Sequence, residues 1–191
     1  VDMHKNGVWV NQRLRGELEF EFKRSVKQRY KRLQEYAQDV GLRSLDADSV
    51  DDLNPGSADQ IRRLLYDRWK LGIPSTMEAR DFYTDTGAPG TGDAVLRAHM
   101  VGGRLNELQE KFIRELRLYR REKNKILGTV LIPLNRGDVD PKKGLVHADG
   151  RVRSTWNAHV TSVGRLSSSG PNLQNIGNRK GQGKLKAIFA A

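Results

Sequence analysis

The stretch VGRLSSSGPNLQNIG, Val163 to Gly177, carries side chains suited to holding a polyanion. Ser167, Ser168 and Ser169 offer hydroxyls to phosphate oxygens, while Gly164 and Gly170 let a backbone come close. Asn172, Gln174 and Asn175 each join a donor and an acceptor on one amide. Arg165 is the single charge in the stretch and suits a minor groove, where the acceptors of all four base pairs sit in similar places. A donor there is blind to sequence but sensitive to pairing geometry. The same composition also fits an ordinary loop, and it is poor material for a core helix or a buried strand.

Other chemistries find little support. The chain has no cysteine, which excludes disulfides, thiolate zinc sites and cysteine nucleophiles. His4, His99, His147 and His159 lie too far apart in sequence to suggest a metal triad. GAPGTGD is glycine-rich but lacks dinucleotide spacing, and reads as a flexible loop. GQGKL ends like a phosphate loop, but Asn178 stands where the motif needs its first glycine and Leu185 where it needs Ser or Thr. No local signature of a Ser/His/Asp constellation is present. Apolar runs are only a few residues long and no signal peptide is visible, so a soluble, cytoplasmic protein without a membrane partner is expected. The chain opens on Val1 rather than Met, which reads as a trimmed terminus.

Charge points to the partner. Formal net charge is +11 over 191 residues, which favours a polyanion, nucleic acid before anionic lipid. From Arg151 to Ala191 there is no Asp or Glu, and Arg151, Arg153, Arg165, Arg179, Lys180, Lys184 and Lys186 give this stretch +7. Apolar content of 37% against 30% charged residues suits long solvated helices better than a thick globule.

The periodicity predicts such helices. Leu14, Leu18, Phe22, Val26, Tyr30, Leu33, Ala37 and Val40 recur at three- and four-residue steps, predicting a helix from Gln12 to Val40. Asn11 is its expected N-cap and Gly41 its expected C-terminal cap. The run Glu17–Phe22 alternates like a strand, but the longer period outweighs it. Ser57 should cap a second helix carrying Ile61, Leu64, Leu65 and Trp69, closed by Gly72 and Pro74. Asp93 should cap a short helix ending near Met100. A second long helix is predicted from Arg104 to Thr129, with Leu105, Leu108, Phe112, Leu116 and Tyr119 on one stripe. Two long helices flanking compact inserts suggest an antiparallel pair. Beyond a connector with two prolines, LVHADGRVRSTW is a hairpin candidate, with Asp149-Gly150 fitting a tight primed turn.

HVTSVGRLSSSGPNLQNIGNRKGQGKLKAIFAA resembles the segment of family-A DNA polymerases, the DNA polymerase I family, that reads T-x-T-G-R-L-S-S-x-x-P-N-L-Q-N-I-P and then G-x-x-I-R-x-x-F. DMHKNGVWVN, LNPGSADQIRRLLYDRWKLGIP, LYRREKNKILGTVLIPL and DGRVRSTWNAHVTSVGRL are similar, more weakly, to the family's thumb and to the start of its palm. The resemblance implies a fold that is mainly α with a small β part. A long antiparallel helix pair forms the thumb, residues 1–130, and leads into the first strands of an α+β palm, residues 131–191. It implies that Arg165 contacts the minor-groove edge at the primer terminus. Asn172, Gln174 and Asn175 would contact the nearby duplex, and Ser167 and Ser168 its backbone. Lys125, Thr161 and Asn157 fall at further DNA-binding positions. Leu127 stands where many relatives have a second DNA-contacting lysine, Arg153 replaces a usual His, Val163 a Thr, and Gly177 a Pro. These departures suggest a divergent member, with a viral or split polymerase as one source.

The family's metal-binding aspartates and its fingers helix lie downstream of Ala191. No catalytic residue is therefore expected here, and no metal ligand. Mg2+ is expected in the complete enzyme, held by carboxylates outside this chain. The implied partners are primer-template DNA and a second polypeptide carrying the fingers and catalytic palm, in a bacterial or virus-infected cell. The other reading is a non-enzymatic nucleic-acid clamp derived from a thumb.

Overall fold

Asn11 begins the first long helix. Its side-chain oxygen accepts from the Leu14 backbone N–H at 3.0 Å, satisfying one donor that a helix start leaves unpaired. The computed structural model describes residues 6–39, 53–102, 105–137, 144–157, 167–169 and 183–189. Within them helix α1 spans Gln12–Asp39, so the strand-like alternation at Glu17–Phe22 yields to the helical period. Leu18, Leu33 and Ala37 are buried along the expected stripe, and Leu14, Phe22, Val26 and Tyr30 are half-buried. Val40 and Gly41 lie outside the described residues.

Ser57 caps α2, Ala58–Arg62, accepting from the Gln60 N–H at 3.3 Å. The helix then widens into a π-helical turn, Arg63–Arg68. It stops earlier than Gly72. The Trp69 N–H donates to Leu64 and the Leu71 N–H to Leu65, both at 3.0 Å, around Lys70 at φ +52°. Lys70 thus holds the left-handed position that glycine ordinarily fills at a helix C-terminus. Lys70→Gly is expected to stabilise the protein by about 0.5–1 kcal/mol, against no gain for Lys70→Ala, in urea or thermal unfolding. Equal midpoints for the two variants would contradict this.

Short helix α3 spans Ala79–Phe82 and α4 spans Asp93–Val101. Gly92, not Asp93, occupies the N-cap of α4. Asp93 is the first helical residue, and its carboxylate accepts from Arg117 at 2.7 Å and Arg97 at 2.8 Å. Those bonds, Arg117's foremost, hold its pKa below the ordinary carboxylate value. Helix α5, Glu107–Arg120, starts later than Arg104 because Asn106 and Gln109 form a capping box. It continues as a π-helical segment, Arg121–Leu131.

Contacts divide the chain into two compact units, one of Ser25–Glu122 and one of Val1–Arg24 with Lys123–Ala191. In the first, Leu33 and Ala37 of α1 share a core with Leu53, Ile61, Leu64, Leu65, Leu96, Phe112, Ile113, Leu116 and Tyr119. Tyr66 donates to the Gly90 carbonyl at 2.5 Å and lies 3.4 Å from buried His99, whose pKa burial holds below its ordinary value. Arg120 donates to the carbonyls of Pro55 and Thr91, at 2.8 and 2.6 Å. Ser25 and Arg29 bond Glu122, and Arg29 and Arg32 pair with Glu115, so chain numbers rise on one helix as they fall on the other. The pair is antiparallel.

The second unit repeats that sense: Gln12 donates to the Leu134 carbonyl and Arg15 to that of Leu131. Its buried apolar residues include Val10, Leu18, Ile126, Leu131, Val146, Val152, Leu185 and Ile188. Strand β1, Val8–Trp9, pairs antiparallel with β2, Arg151–Val152. Strand β3, Thr155–Asn157, pairs antiparallel with β4, Ser167–Ser169. A last short helix, α6, spans Gly183–Lys186 and runs into a 3-10 turn, Ala187–Phe189. The turn before β2 is not a two-residue primed turn. The His147 N–H donates to Arg151 and the Gly150 N–H to His147, both at 2.9 Å. Only Gly150, at φ +76°, is left-handed, so the loop has three residues and Asp149 keeps negative φ.

Candidate nucleic-acid interface

Lys125 sits in the π-helical segment with its side chain exposed and no ion pair among the described residues. The next two residues, Ile126 and Leu127, are buried. Leu127 therefore serves the core of this unit. The Thr129 hydroxyl donates to the Asn124 carbonyl at 2.8 Å, five residues back, closing the wide turn around Lys125.

The serine run contributes a strand. Asn157 and Ser167 are direct Cα partners across the β3–β4 ladder, followed by Trp156 with Ser168 and Thr155 with Ser169. Within a stretch read as poor material for a buried strand, the strand is three residues long. Pairing with Thr155–Asn157 supplies the backbone hydrogen bonds that serine's weak β preference does not favour alone. Ser168 is only 4% exposed and is engaged within the chain. The ladder thus brings together two sequence-predicted contact residues, Asn157 and Ser167, in the unit that also holds Lys125. Arg165, Thr161, Asn172, Gln174 and Asn175 lie outside the described residues.

The acid-free stretch is less unbalanced in space than in sequence. Arg153 makes two bonds to the Asp149 carboxylate, at 3.3 and 2.5 Å. That pairing is the main cause that holds the Asp149 pKa down at about 2. Lys184 pairs with Glu21 at 3.3 Å, and Arg151 donates to the Asn6 carbonyl at 3.0 Å. Both carboxylates come from outside residues 151–191, which a count of charges within the stretch misses. Lys186 is exposed. Among the described residues no three His, Asp or Glu side chains converge as metal ligands would. Nor is any helix there long and apolar enough to cross a membrane.

Comparison with known proteins gives this geometry a context. The family model for DNA polymerase family A matches residues 20–191. The thermostable DNA polymerase I of Thermus thermophilus is 36% identical over 144 residues, which cover 72% of this chain and 14% of that protein. DNA polymerase I of Pseudomonas aeruginosa is 33% identical over 141 residues, covering 73% of this chain and 13% of that protein. Among solved structures, the polymerase domain of Pol1 from M. smegmatis, in complex with DNA primer-template and dNTP, superposes with a TM-score of 0.68 at 25% identity. That match covers 98% of this chain and 27% of the other. The chain therefore spans about a seventh of the length of the curated relatives it matches.

Proposed function

The chain belongs to DNA polymerase family A, and from that premise we propose that it is the duplex-gripping portion of a template-directed DNA polymerase. The complete enzyme would extend a primer 3′ end with deoxynucleotides. The observation that carries this reading is the family match over residues 20–191, which includes most of α1, all of α5 and the whole polar run from Val163 to Gly177. Residues 1–130 act as the thumb and 131–191 as the start of the palm. That is a functional division, distinct from the contact units, whose boundaries fall within α1 and within the π-helical segment after α5.

In this reading Arg165 donates to the minor-groove acceptors at the primer terminus. Those acceptors keep nearly the same positions in all four Watson–Crick pairs and move in a mispair. A mismatch then loses the bond and leaves the 3′ end out of line for reaction. Lys125 faces a phosphate as a point charge. Asn157, Thr161, Ser167, Asn172, Gln174 and Asn175 hold the nearby duplex in register. Ser168, buried in β4, is carried over with Ser167 as a contact to the duplex backbone. By resemblance, Mg2+ would be held by the family's aspartates, which lie downstream of this chain. The groups that perform the transfer would come from the fingers and catalytic palm, on a second polypeptide or on further sequence.

The test is salt-dependent binding of primer-template DNA, followed by primer extension with the complementary polypeptide added. Lys125→Ala is expected to reduce the slope of log affinity against log salt by about 0.9, the value of one phosphate contact. Arg165→Ala should slow extension roughly 10-fold or more, or relax the response to a terminal mismatch, with the unfolding midpoint unchanged. A chain with no salt-dependent DNA binding would refute the reading.

A further inference from the structure

Phe20 lies off the apolar stripe of α1 and is 72% exposed. One turn earlier stands Gly16, where an added Cβ would meet nothing within 4 Å. Glycine inside a helix is unfavourable relative to alanine, and neither tight packing nor a positive φ calls for it here. Its effect is to clear the surface. Helical side chains lean back toward the N-terminus, over the residue four before, so the Phe20 ring stands beside a bare patch of helix.

Three cations continue the same line. Arg24, Lys27 and Lys31 follow Phe20 at steps of four, three and four residues, the spacing of one helix face. All three are exposed, and none has an ion pair or hydrogen bond among the described residues. The neighbouring charges are already matched, Arg13 with Glu17 at 3.0 Å and Lys23 with Glu19 at 2.6 Å. From Phe20 to Lys31 the helix rises about 16 Å. The stripe lies on one helix and involves none of the residues assigned above to the duplex.

We propose that this stripe binds single-stranded nucleic acid, with one base stacked on Phe20 and the following phosphates on Arg24, Lys27 and Lys31. A single strand fits better than a duplex, because a ring can stack only on a base face that no neighbour covers. Nucleic acid fits better than a partner helix, which would ask for several apolar residues at three- and four-residue spacing rather than one ring and a row of unmatched cations.

Fluorescence anisotropy of the 191-residue chain with labelled oligothymidylate, and separately with a blunt duplex, tests this. Phe20→Ala is expected to weaken oligothymidylate binding about 5- to 150-fold and to leave the blunt duplex unaffected. Phe20→Trp should retain it. Replacing Arg24, Lys27 and Lys31 together by Gln should reduce the single-strand salt slope by about 2. Gly16→Leu, which fills the bare patch while favouring the helix, should weaken the single strand without lowering the unfolding midpoint. Unchanged oligothymidylate affinity in Phe20→Ala overturns the proposal, as does an equal loss on the blunt duplex. Self-association or capture of another protein that depends on Phe20, without single-strand binding, also overturns it and assigns the face to a protein. Lys125→Ala and Arg165→Ala report on the duplex reading alone, so failure of one proposal is distinguishable from failure of the other.

Discussion

Phe112→Ala is expected to destabilise the protein by about 3–5 kcal/mol, the largest effect of any single substitution considered. The side chain is fully buried in the core that α1, α2, α4 and α5 share, and its ring meets Trp69 edge-on with centroids 5.4 Å apart. Truncation removes the transfer free energy of the ring and leaves a cavity whose walls come from several elements. Ile61, Leu64, Ile113 and Leu116 are themselves fully buried, so none has slack to fill it. At 2–4 °C per kcal/mol for a chain of this size, the unfolding midpoint should fall by roughly 10 °C. Val101→Ala, at a position 68% exposed, should change little and serves as the control. A loss below 1 kcal/mol for Phe112→Ala would show that this core is not close-packed.

Arg29→Met should rank second, at about 2–4 kcal/mol. Arg29 donates to Glu115 and to Glu122, each at 2.9 Å, and all three side chains are under a fifth exposed. Burial pushes the guanidinium pKa down, but its bonds to Glu122 and Glu115 outweigh that and hold it above its ordinary value. Removing the cation leaves two carboxylates with reduced compensation, since Arg32 reaches only Glu115, at 3.6 Å. Much of the cost is therefore the penalty of orphaned charge. The triple variant Arg29→Met, Glu115→Leu, Glu122→Leu should recover most of the loss, which urea unfolding of the two proteins would measure. If the triple variant is the less stable, the ion pairs themselves stabilise this unit and the desolvation argument fails.

What the sequence made legible follows from which forces act locally. The burial of Leu33, Ala37, Phe112 and Leu116 was readable because a helix repeats every 3.6 residues and the core selects one face. Asn11 and Ser57 were readable as caps because their side chains are short acceptors at the right spacing. Lys70 was not, since a left-handed lysine has no compositional mark and glycine two residues on is the ordinary stop. The Asp149-Gly150 pair announced a turn but not its length, which the His147–Arg151 hydrogen bond sets. Strand β4 escaped the reading because its register comes from β3, ten or more residues earlier. Glu115 escaped because periodicity does not tell which polar residue on a half-apolar face will meet an arginine on another helix. Of the candidate DNA contacts, Asn157, Ser167 and Lys125 fall among the described residues and those around Arg165 do not, and for all of them the contact itself rests on resemblance.

The wide helical segment Arg121–Leu131 has one more consequence. Each of its rings holds an extra residue compared with an ordinary α-turn, so it stores chain length within a helical segment. Homologues could therefore drop a residue within this span and stay helical, the difference appearing as a rotation of every side chain beyond the deletion. A gap at this spot in a pairwise alignment would then mark a change of azimuth, not a loop.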